Sequence, residues 1–263
     1  MRRPPLLVGV IHLPPLPGSP RAYASAVEVA RAAAEDARIL DGEGFDLAML
    51  ENFGDAPFLP GRVAAVTVSA MTACAIAARE AASRIALGIN VLRNDADAAL
   101  AIAATVQARC IRVNIHTGAR VTDQGVIQGD AATTLRSRRA LGAEGVAVWA
   151  DVDVKHSAAL APRPIAMEAK DLVSRGLASA VLVTGEGTGS GVDLADLEAV
   201  RSSVDVQVLV ASGATLDSLG ALAPFCDGVI VGSALRSGGK AGGPIDAGCA
   251  RAFATAFRQA FNR

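Results

Sequence analysis

Aromatic residues are scarce in this chain, and charges of the two signs nearly cancel. Aromatic side chains make up 3% of the 263 residues against 51% for hydrophobic ones, so Ala, Val, Leu and Ile must build the core. That composition is typical of parallel strands covered by helices. The formal net charge of −1 comes without a basic stripe, which argues against nucleic acid as a partner.

Cysteine is too scattered to define a disulfide framework or a thiolate zinc site. No two of the four cysteines form a Cys-x-x-Cys pair, so reduced thiols in a cytoplasmic protein are the simple interpretation. The four are Cys74, Cys110, Cys226 and Cys249.

No stretch is long and apolar enough to predict a membrane span. The most apolar one, residues 63–78, has 16 residues and includes Thr67 and Ser69, whereas a helix that crosses a bilayer needs about 20. Prolines interrupt the apolar run near the N-terminus, unlike the core of a signal peptide. We expect no integral membrane insertion.

Short β-branched runs alternate with longer Ala-rich helical patterns, which predicts βα units and a parallel sheet. The length fits a (β/α)₈ TIM barrel, and no composition break divides residues 1–263, so we predict one domain. An open doubly wound sheet is the alternative, but it usually carries fewer strands. The predicted strands are 6–12, 46–51, 85–92, 111–116, 146–154, 180–184, 206–212 and 228–232, and the helices are 24–41, 63–82, 95–108, 130–141, 164–176, 193–203, 215–223 and 246–261.

Polar and apolar residues alternate in the fourth and fifth predicted strands. The apolar set suits packing beneath helices, so the polar set should point into the barrel or its open mouth. There, we expect Arg112 and Asp151 to neutralise each other deep in the barrel. The apolar set of the fifth strand is Val146, Val148, Ala150, Val152 and Val154, and the polar-face residues of the two strands are Arg112, Asn114, His116, Trp149, Asp151, Asp153 and Lys155.

Small residues and hydroxyls close the last two predicted strands. Ser212 and Gly213 lie at the end of the seventh strand, and Gly232 and Ser233 lie at the end of the eighth. Barrels often bind phosphate with the loops after these two strands, so we predict that the four residues form a phosphate site. The alternative is a pair of ordinary strand-to-helix turns with Ser or Thr caps.

Titratable residues end several other strands and are the catalytic candidates. We predict that His116, Asp153 and Lys155 manage protons, with Glu51 and His12 in assistance. A lysine among apolar walls can lose its proton, and a histidine beside a carboxylate titrates near neutrality. A divalent metal held by Glu51, His116 and Asp153 is the alternative, as is a purely structural polar network; no other cofactor is predicted.

Two glycine-containing segments and two asparagines are candidates for contacts with the substrate. The 13 residues 117–129 exceed the common length of a βα loop, which favours a lid carrying Arg120 and Asp123. The glycine-rich segment after the sixth strand, with Thr184 and Thr188, is either a lid or a plain connector. Asn90 and Asn114 occupy inward-facing positions near the ends of the third and fourth strands.

The helix predicted over 63–82 is apolar almost all round. It is either clamped between the barrel and a long loop or part of a subunit interface. We expect a homo-oligomer.

Five segments in the same order resemble the BtpA/SgcQ family, and the resemblance runs over nearly the full chain. It implies a TIM barrel of the phosphate-binding kind, and it assigns no catalytic role to a single residue. The segments are 12–20 with Gly9, 51–58, 112–129, 151–156 and 184–189.

The resemblance implies two different functions. The founding cyanobacterial member is associated with accumulation of photosystem I, whereas relatives in non-photosynthetic microbes occur beside sugar-uptake genes and are labelled nucleosidases. One expectation is therefore an enzyme that binds a small phosphorylated sugar or nucleoside, by lyase, isomerase or glycosidic-cleavage chemistry. The other is a non-catalytic factor that assembles or stabilises a membrane complex such as photosystem I.

Overall fold

The computed structural model describes residues 4–154, 156–185 and 191–262, so the predictions for Lys155 and Thr188 lie outside the described residues. Along the described chain, strands and helices alternate as predicted. The strands are β1 Leu6–His12, β2 Leu47–Glu51, β3 Ala86–Asn90, β4 Cys110–Val113, β5 Ala119–Thr122, β6 Gly125–Gln128, β7 Ala147–Asp151, β8 Ser157–Ala159, β9 Ala180–Val183, β10 Gln207–Val210 and β11 Gly228–Val231. The α-helices are α1 Ala26–Gly42, α2 Ala65–Ala81, α3 Ala96–Thr105, α4 Ala131–Ala140, α5 Ile165–Ser174, α6 Leu194–Ser203, α7 Leu219–Leu222 and α8 Ala247–Ala260.

Eight of these strands close into a parallel barrel in the order β1-β11-β10-β9-β7-β4-β3-β2. The first and last strands of the chain pair with each other and close the barrel. β1 pairs with β2 on one side, with Val8 opposite Leu47, and with β11 on the other side, with Leu6 opposite Gly228. The prediction of a (β/α)₈ TIM barrel is confirmed. All strand carboxyl ends therefore meet at one face, where barrels place their sites.

The core has two layers because strand side chains alternate between the helices and the barrel interior. Val148 and Ala150 of β7 join the layer under the helices, while Trp149 between them fills the interior. The predicted parity of this strand is thus confirmed. The interior layer holds Leu6, Val8, Val10, Leu47, Met49, Cys110, Trp149, Ala180, Leu182, Leu209, Ala211 and Ile230.

Side-chain caps fix where most βα loops end and the next helix begins. Ser25 accepts from the backbone N–H of Glu28 at the start of α1, and the Glu28 carboxylate accepts from the N–H of Ser25, which completes a capping box. Asp caps perform the same task before α3, α4, α6 and α8.

Residues 117–129, predicted as a long βα loop that forms a lid, contain regular structure, and the role as a lid stays a prediction. β5 and β6 make an antiparallel hairpin, and β8 from the next βα connection pairs with β5 to complete a three-stranded sheet. The turn requires Gly125, whose φ is +93°. The β-branched residues Val121, Thr122 and Val126 favour strands here.

α2 packs along α1, and its buried face consists of Ala70, Met71, Cys74, Ala75 and Ala78. Val66 and Ile76 on the same helix keep 43% of their surface exposed. Association through this helix therefore stays a prediction. Within the described residues, no helix combines the length and apolarity that a membrane crossing requires.

Candidate functional site

The candidate site is a cavity of about 200 Å³ at the carboxyl end of the barrel. Drug-sized ligands occupy pockets of about 300–1,000 Å³, so this volume suits a smaller molecule. Polar and glycine residues of the lining include His12, Glu51, Arg93, Arg112, Asn114, Ser212, Gly213, Gly232 and Ser233.

The four residues predicted to bind phosphate lie together on one side of this cavity. Gly213 follows β10 with a φ of +78°, which an L side chain rarely adopts. The hydroxyl oxygen of Ser212 is buried and has no hydrogen-bond partner among the described residues. Leaving such a group unsatisfied costs about 1–3 kcal/mol, so a polar ligand would stabilise it.

Gly232 is required by its contact with His12. A Cβ at position 232 would lie 2.9 Å from Cε1 and 3.2 Å from Nε2 of the His12 ring. A side chain at position 232 would therefore displace the His12 ring from its present position.

A buried cation that the sequence did not predict lies behind the Gly232 turn. The Arg236 guanidinium donates to the backbone oxygens of Val10, Gly232 and Gly243, and the residue is 3% exposed. Burial lowers the pKa of Arg236, and the nearby carboxylates of Asp36 and Glu51 act in the opposite direction. Because arginine remains protonated in proteins, this residue adds fixed positive charge beside the predicted phosphate site.

Glu51 ends β2, which is separated from β11 by β1 alone, and its carboxylate is hydrogen-bonded. Its Oε2 accepts from Nδ2 of Asn90 at 2.7 Å and lies 4.0 Å from Nη1 of Arg112. The carboxylate is thus held by a neutral donor, with a cation nearby.

Arg112 and Asp151 form the predicted ion pair. Nε and Nη2 of Arg112 donate to Asp151 at 3.0 and 2.8 Å, and Asn114 Nδ2 donates to the same carboxylate at 2.9 Å. Burial lowers the pKa of Arg112, but the attraction of Asp151 more than offsets this, and the pKa is raised. Oδ1 of Asn114 is buried and has no hydrogen-bond partner among the described residues.

The ring of His12 is oriented by two contacts. Nδ1 accepts from the backbone N–H of Gly242 at 3.1 Å, and the ring packs on Phe53 with centroids 4.3 Å apart. Since Nδ1 acts as an acceptor, the proton of the neutral ring resides on Nε2. In the neutral ring, Nε2 therefore carries the N–H that can donate a hydrogen bond.

Arg93 is a second cation that the sequence did not predict. It follows β3, lines the cavity, and donates from Nη1 to Asp123 at 3.0 Å and to Gln124 at 3.2 Å. Burial lowers the pKa of Arg93 below its ordinary value, although the attraction of Asp123, Asp151 and Glu51 acts in the opposite direction. The predicted ligand-contacting residue Asp123 is thus connected to the cavity through Arg93 and does not line it.

His116 does not line the cavity, contrary to its predicted inward position. It is 1% exposed, and its Nε2 lies 2.8 Å from the backbone oxygen of Gly176. Burial lowers the pKa of His116, which favours the neutral ring. β4 ends at Val113, so the strand alternation that placed His116 inward no longer applies three residues later.

Asp153 belongs to a separate network at the rim. Arg120 of β5 donates to Asp153, to Ser157 at 2.8 Å and to Glu168 at 3.5 Å, and burial raises the pKa of Glu168. Thr184 Oγ1 donates to the backbone oxygen of Asp153 at 2.6 Å. These bonds fasten the three-stranded sheet to the barrel.

The predicted metal ligands are not brought together. Glu51 lines the cavity, while His116 bonds Gly176 and Asp153 bonds Arg120. Across 4–154, 156–185 and 191–262, no three His, Cys, Asp or Glu side chains are grouped to hold a metal ion.

The amino-acid sequence matches a known protein family. Residues 3–259 match the model of the BtpA family. The chain is 43% identical to the photosystem I biogenesis protein BtpA of Synechocystis, covering 91% of this chain and 83% of that protein. It is also 41% identical to an uncharacterized protein of Methanocaldococcus jannaschii, covering 91% and 90%, and 31% identical to an uncharacterized mitochondrial protein of Caenorhabditis elegans, covering 93% and 90%.

Solved structures share the fold at low sequence identity. Thiamine phosphate pyrophosphorylase from Pyrococcus furiosus superposes with a TM-score of 0.60 at 12% identity, covering 97% of this chain and 96% of that one. N-(5'-phosphoribosyl)anthranilate isomerase from the same organism gives 0.58 at 15% identity, covering 97% and 99%.

Proposed function

Since the chain belongs to the BtpA family, we propose that it is a cytoplasmic enzyme that acts on a small phosphorylated sugar or nucleoside by proton transfer. The observation that carries this proposal is the composition of one cavity. Its lining brings Ser212, Gly213 and Gly232, at the ends of β10 and β11, together with His12 and Glu51, at the ends of the adjoining strands β1 and β2. A ligand that carries a phosphate next to a reactive sugar would engage both sets of residues.

The phosphate half of the proposal rests on charge and on donors. The buried Ser212 hydroxyl, the backbone turn at Gly213 and the cation of Arg236 behind Gly232 favour an anion. Two barrels with the same fold carry phosphorylated compounds in their names, thiamine phosphate pyrophosphorylase and phosphoribosylanthranilate isomerase. This likeness of fold is consistent with a phosphate site at these strand ends.

For the chemical step, we assign one residue as the proton acceptor and one as the proton donor. Glu51 would accept a proton from a sugar carbon or hydroxyl, and His12 would donate from Nε2 to the oxygen or nitrogen that gains electrons. Arg112 would stabilise the negative charge that develops between them. Isomerase, lyase and glycosidic-cleavage reactions all use such a pair, and positioned acid–base groups contribute about 10²- to 10⁴-fold to rate.

Binding of sugar phosphates tests the proposal. We expect ribose 5-phosphate to raise the melting temperature while ribose does not, because ligands that bind only the folded state stabilise it. Ser212→Asp places a negative charge at the phosphate end and should abolish the shift. Thr215→Asp, an exposed position on the same turn, is the control that should retain it. If a panel of sugar phosphates leaves the wild-type protein unchanged, the proposed function is wrong.

A second candidate is a factor for a membrane complex, and the observation in its favour is the name of the Synechocystis relative. In this case the outer surface would act, and the cavity would be dispensable. The Ser212→Asp variant separates the two in cells: an assembly role would tolerate it, with membrane complexes at wild-type levels, whereas the enzymatic role would not.

A further inference from the structure

A larger cavity of about 880 Å³ lies beside the candidate site. The two share four lining residues, His12, Phe53, Phe58 and His156. The rings of His12 and Phe53 lie at this boundary, with their centroids 4.3 Å apart and their planes tilted by 34°. A ligand long enough to span both cavities would pass these rings.

The outer cavity concentrates the few aromatic side chains of the protein. The chain has seven Phe, one Tyr and one Trp, and Tyr23, Phe53 and Phe58 line this one space. Most of the remaining lining is apolar and comes from the Pro14–Pro15 segment, α1 and the segment 242–245. Aromatic and aliphatic walls of this kind favour a flat, weakly polar group over a charged one.

The walls of the outer cavity are tied to one another by hydrogen bonds. The N–H of Leu16 donates to Asp55 at 2.8 Å, and the N–H of Gly54 donates to the backbone oxygen of Leu13 at 3.0 Å. On the opposite wall, the N–H of Ile245 donates to Asp36 of α1 at 2.9 Å. The cavity is therefore preformed, which lowers the entropy cost of filling it.

Gly54 shows how closely these walls approach. A Cβ at this position would lie 2.3 Å from the nitrogen of Pro15, so only glycine allows the proline segment to lie on the loop after β2. The proline-dense segment thus forms a fixed wall of the cavity.

We propose that the outer cavity binds a planar, aromatic substituent of the phosphorylated sugar whose phosphate and sugar the inner cavity holds. The inference rests on the proposed function, because it places the sugar between Glu51 and the boundary rings. It narrows the substrate class to sugar phosphates that carry a flat ring system, such as a nucleobase or another aromatic group.

A pair of ligands that differ only in the aromatic group tests this inference. Isothermal titration of the full chain with ribose 5-phosphate and with adenosine 5'-monophosphate should show at least about fivefold tighter binding of the nucleotide, the lower limit for stacking of one base on aromatic side chains. Equal affinity for the two would contradict the inference.

Variants in the outer cavity supply the matched control. Ala32→Trp, on an exposed position of α1 that lines the cavity, should reduce nucleotide affinity to that of ribose 5-phosphate and leave ribose 5-phosphate unchanged. Val27→Trp lies on the same helix outside this cavity and should change neither. Tyr23→Ala, whose side chain is 78% exposed, checks the result without added bulk and should weaken nucleotide binding about fivefold.

The outcomes separate the two proposals. If ribose 5-phosphate binds but the nucleotide gains nothing, the outer-cavity inference fails while the proposed function stands. If neither ligand binds the wild-type protein, both fail. If Ala32→Trp folds with an unchanged melting temperature and keeps the nucleotide preference, the substituent binds elsewhere and the inference is wrong.

Discussion

Arg112 and Asp151 face each other inside the barrel, joined by two hydrogen bonds of 3.0 and 2.8 Å. Their side chains are 10% and 0% exposed. Because the pair is buried, each charge depends on the other, and the removal of one leaves an uncompensated ion in the protein interior.

Asp151→Asn should therefore lower the free energy of unfolding by about 3–5 kcal/mol, the usual cost of breaking a buried pair. Guanidinium denaturation of the variant and the wild type measures the difference. The control is Glu144→Gln, which removes the exposed Arg139–Glu144 pair and should cost at most about 1 kcal/mol. A loss for Asp151→Asn as small as that of the control would show that the pair is not desolvated.

Gly232→Ala should disturb the site through His12. The added methyl group would overlap the His12 ring at 2.9 Å, so we expect a stability loss of about 1–3 kcal/mol together with weaker binding of ribose 5-phosphate. Gly220→Ala is the control, because nothing lies within 4 Å of a Cβ there and the position is in α7. That variant should be neutral or slightly stabilising. Equal behaviour of the two alanine variants would contradict the contact.

The barrel was predictable from sequence because each strand is a short β-branched run with its own turn signals. Strand ends were less predictable. The fifth predicted strand, 146–154, extends beyond the observed β7, Ala147–Asp151. Alternation of side chains between the two faces holds only while a strand is paired. It therefore predicted the inward position of Asp151 correctly. It could not predict the position of Asp153, which lies beyond the end of β7 and bonds Arg120 at the rim.

Two site cations could not be found from sequence for a different reason. Arg93 and Arg236 lie in irregular segments without a periodic pattern, and their positions depend on distant contacts. Arg236 donates to Val10, which is 226 residues away in the chain. Only the closure of the barrel brings the last strand beside the first, so a local pattern carries no signal for such a contact.

Glu51→Gln tests the assignment of the proton acceptor. The amide keeps the size of the side chain and an oxygen that can accept from Asn90, but it cannot take up a proton. We expect turnover of the bound sugar phosphate to fall by at least about 100-fold, with its affinity within threefold of wild type. Glu43→Gln, at a partly exposed carboxylate that pairs with Arg251, should leave turnover unchanged. Full activity of Glu51→Gln would exclude Glu51 as the acceptor.

His116 makes stability depend on pH in a defined direction. Burial lowers its pKa below the ordinary value near 6.5, so the unfolded chain binds the proton more readily than the folded one. Its contribution is therefore fully present above pH 6.5 and is lost as the pH falls from 6.5 toward the lower folded-state pKa. We expect the unfolding free energy of the wild type to decline between pH 7.5 and 5.5 more steeply than that of His116→Asn. Asp36 and Glu168 have raised pKa values, which change the unfolding free energy with pH in the opposite direction. Both proteins contain these two carboxylates, so their contribution cancels when the variant is subtracted from the wild type. Urea denaturation at several pH values measures both slopes, and parallel curves would mean that His116 has the same proton affinity in the folded and unfolded chain.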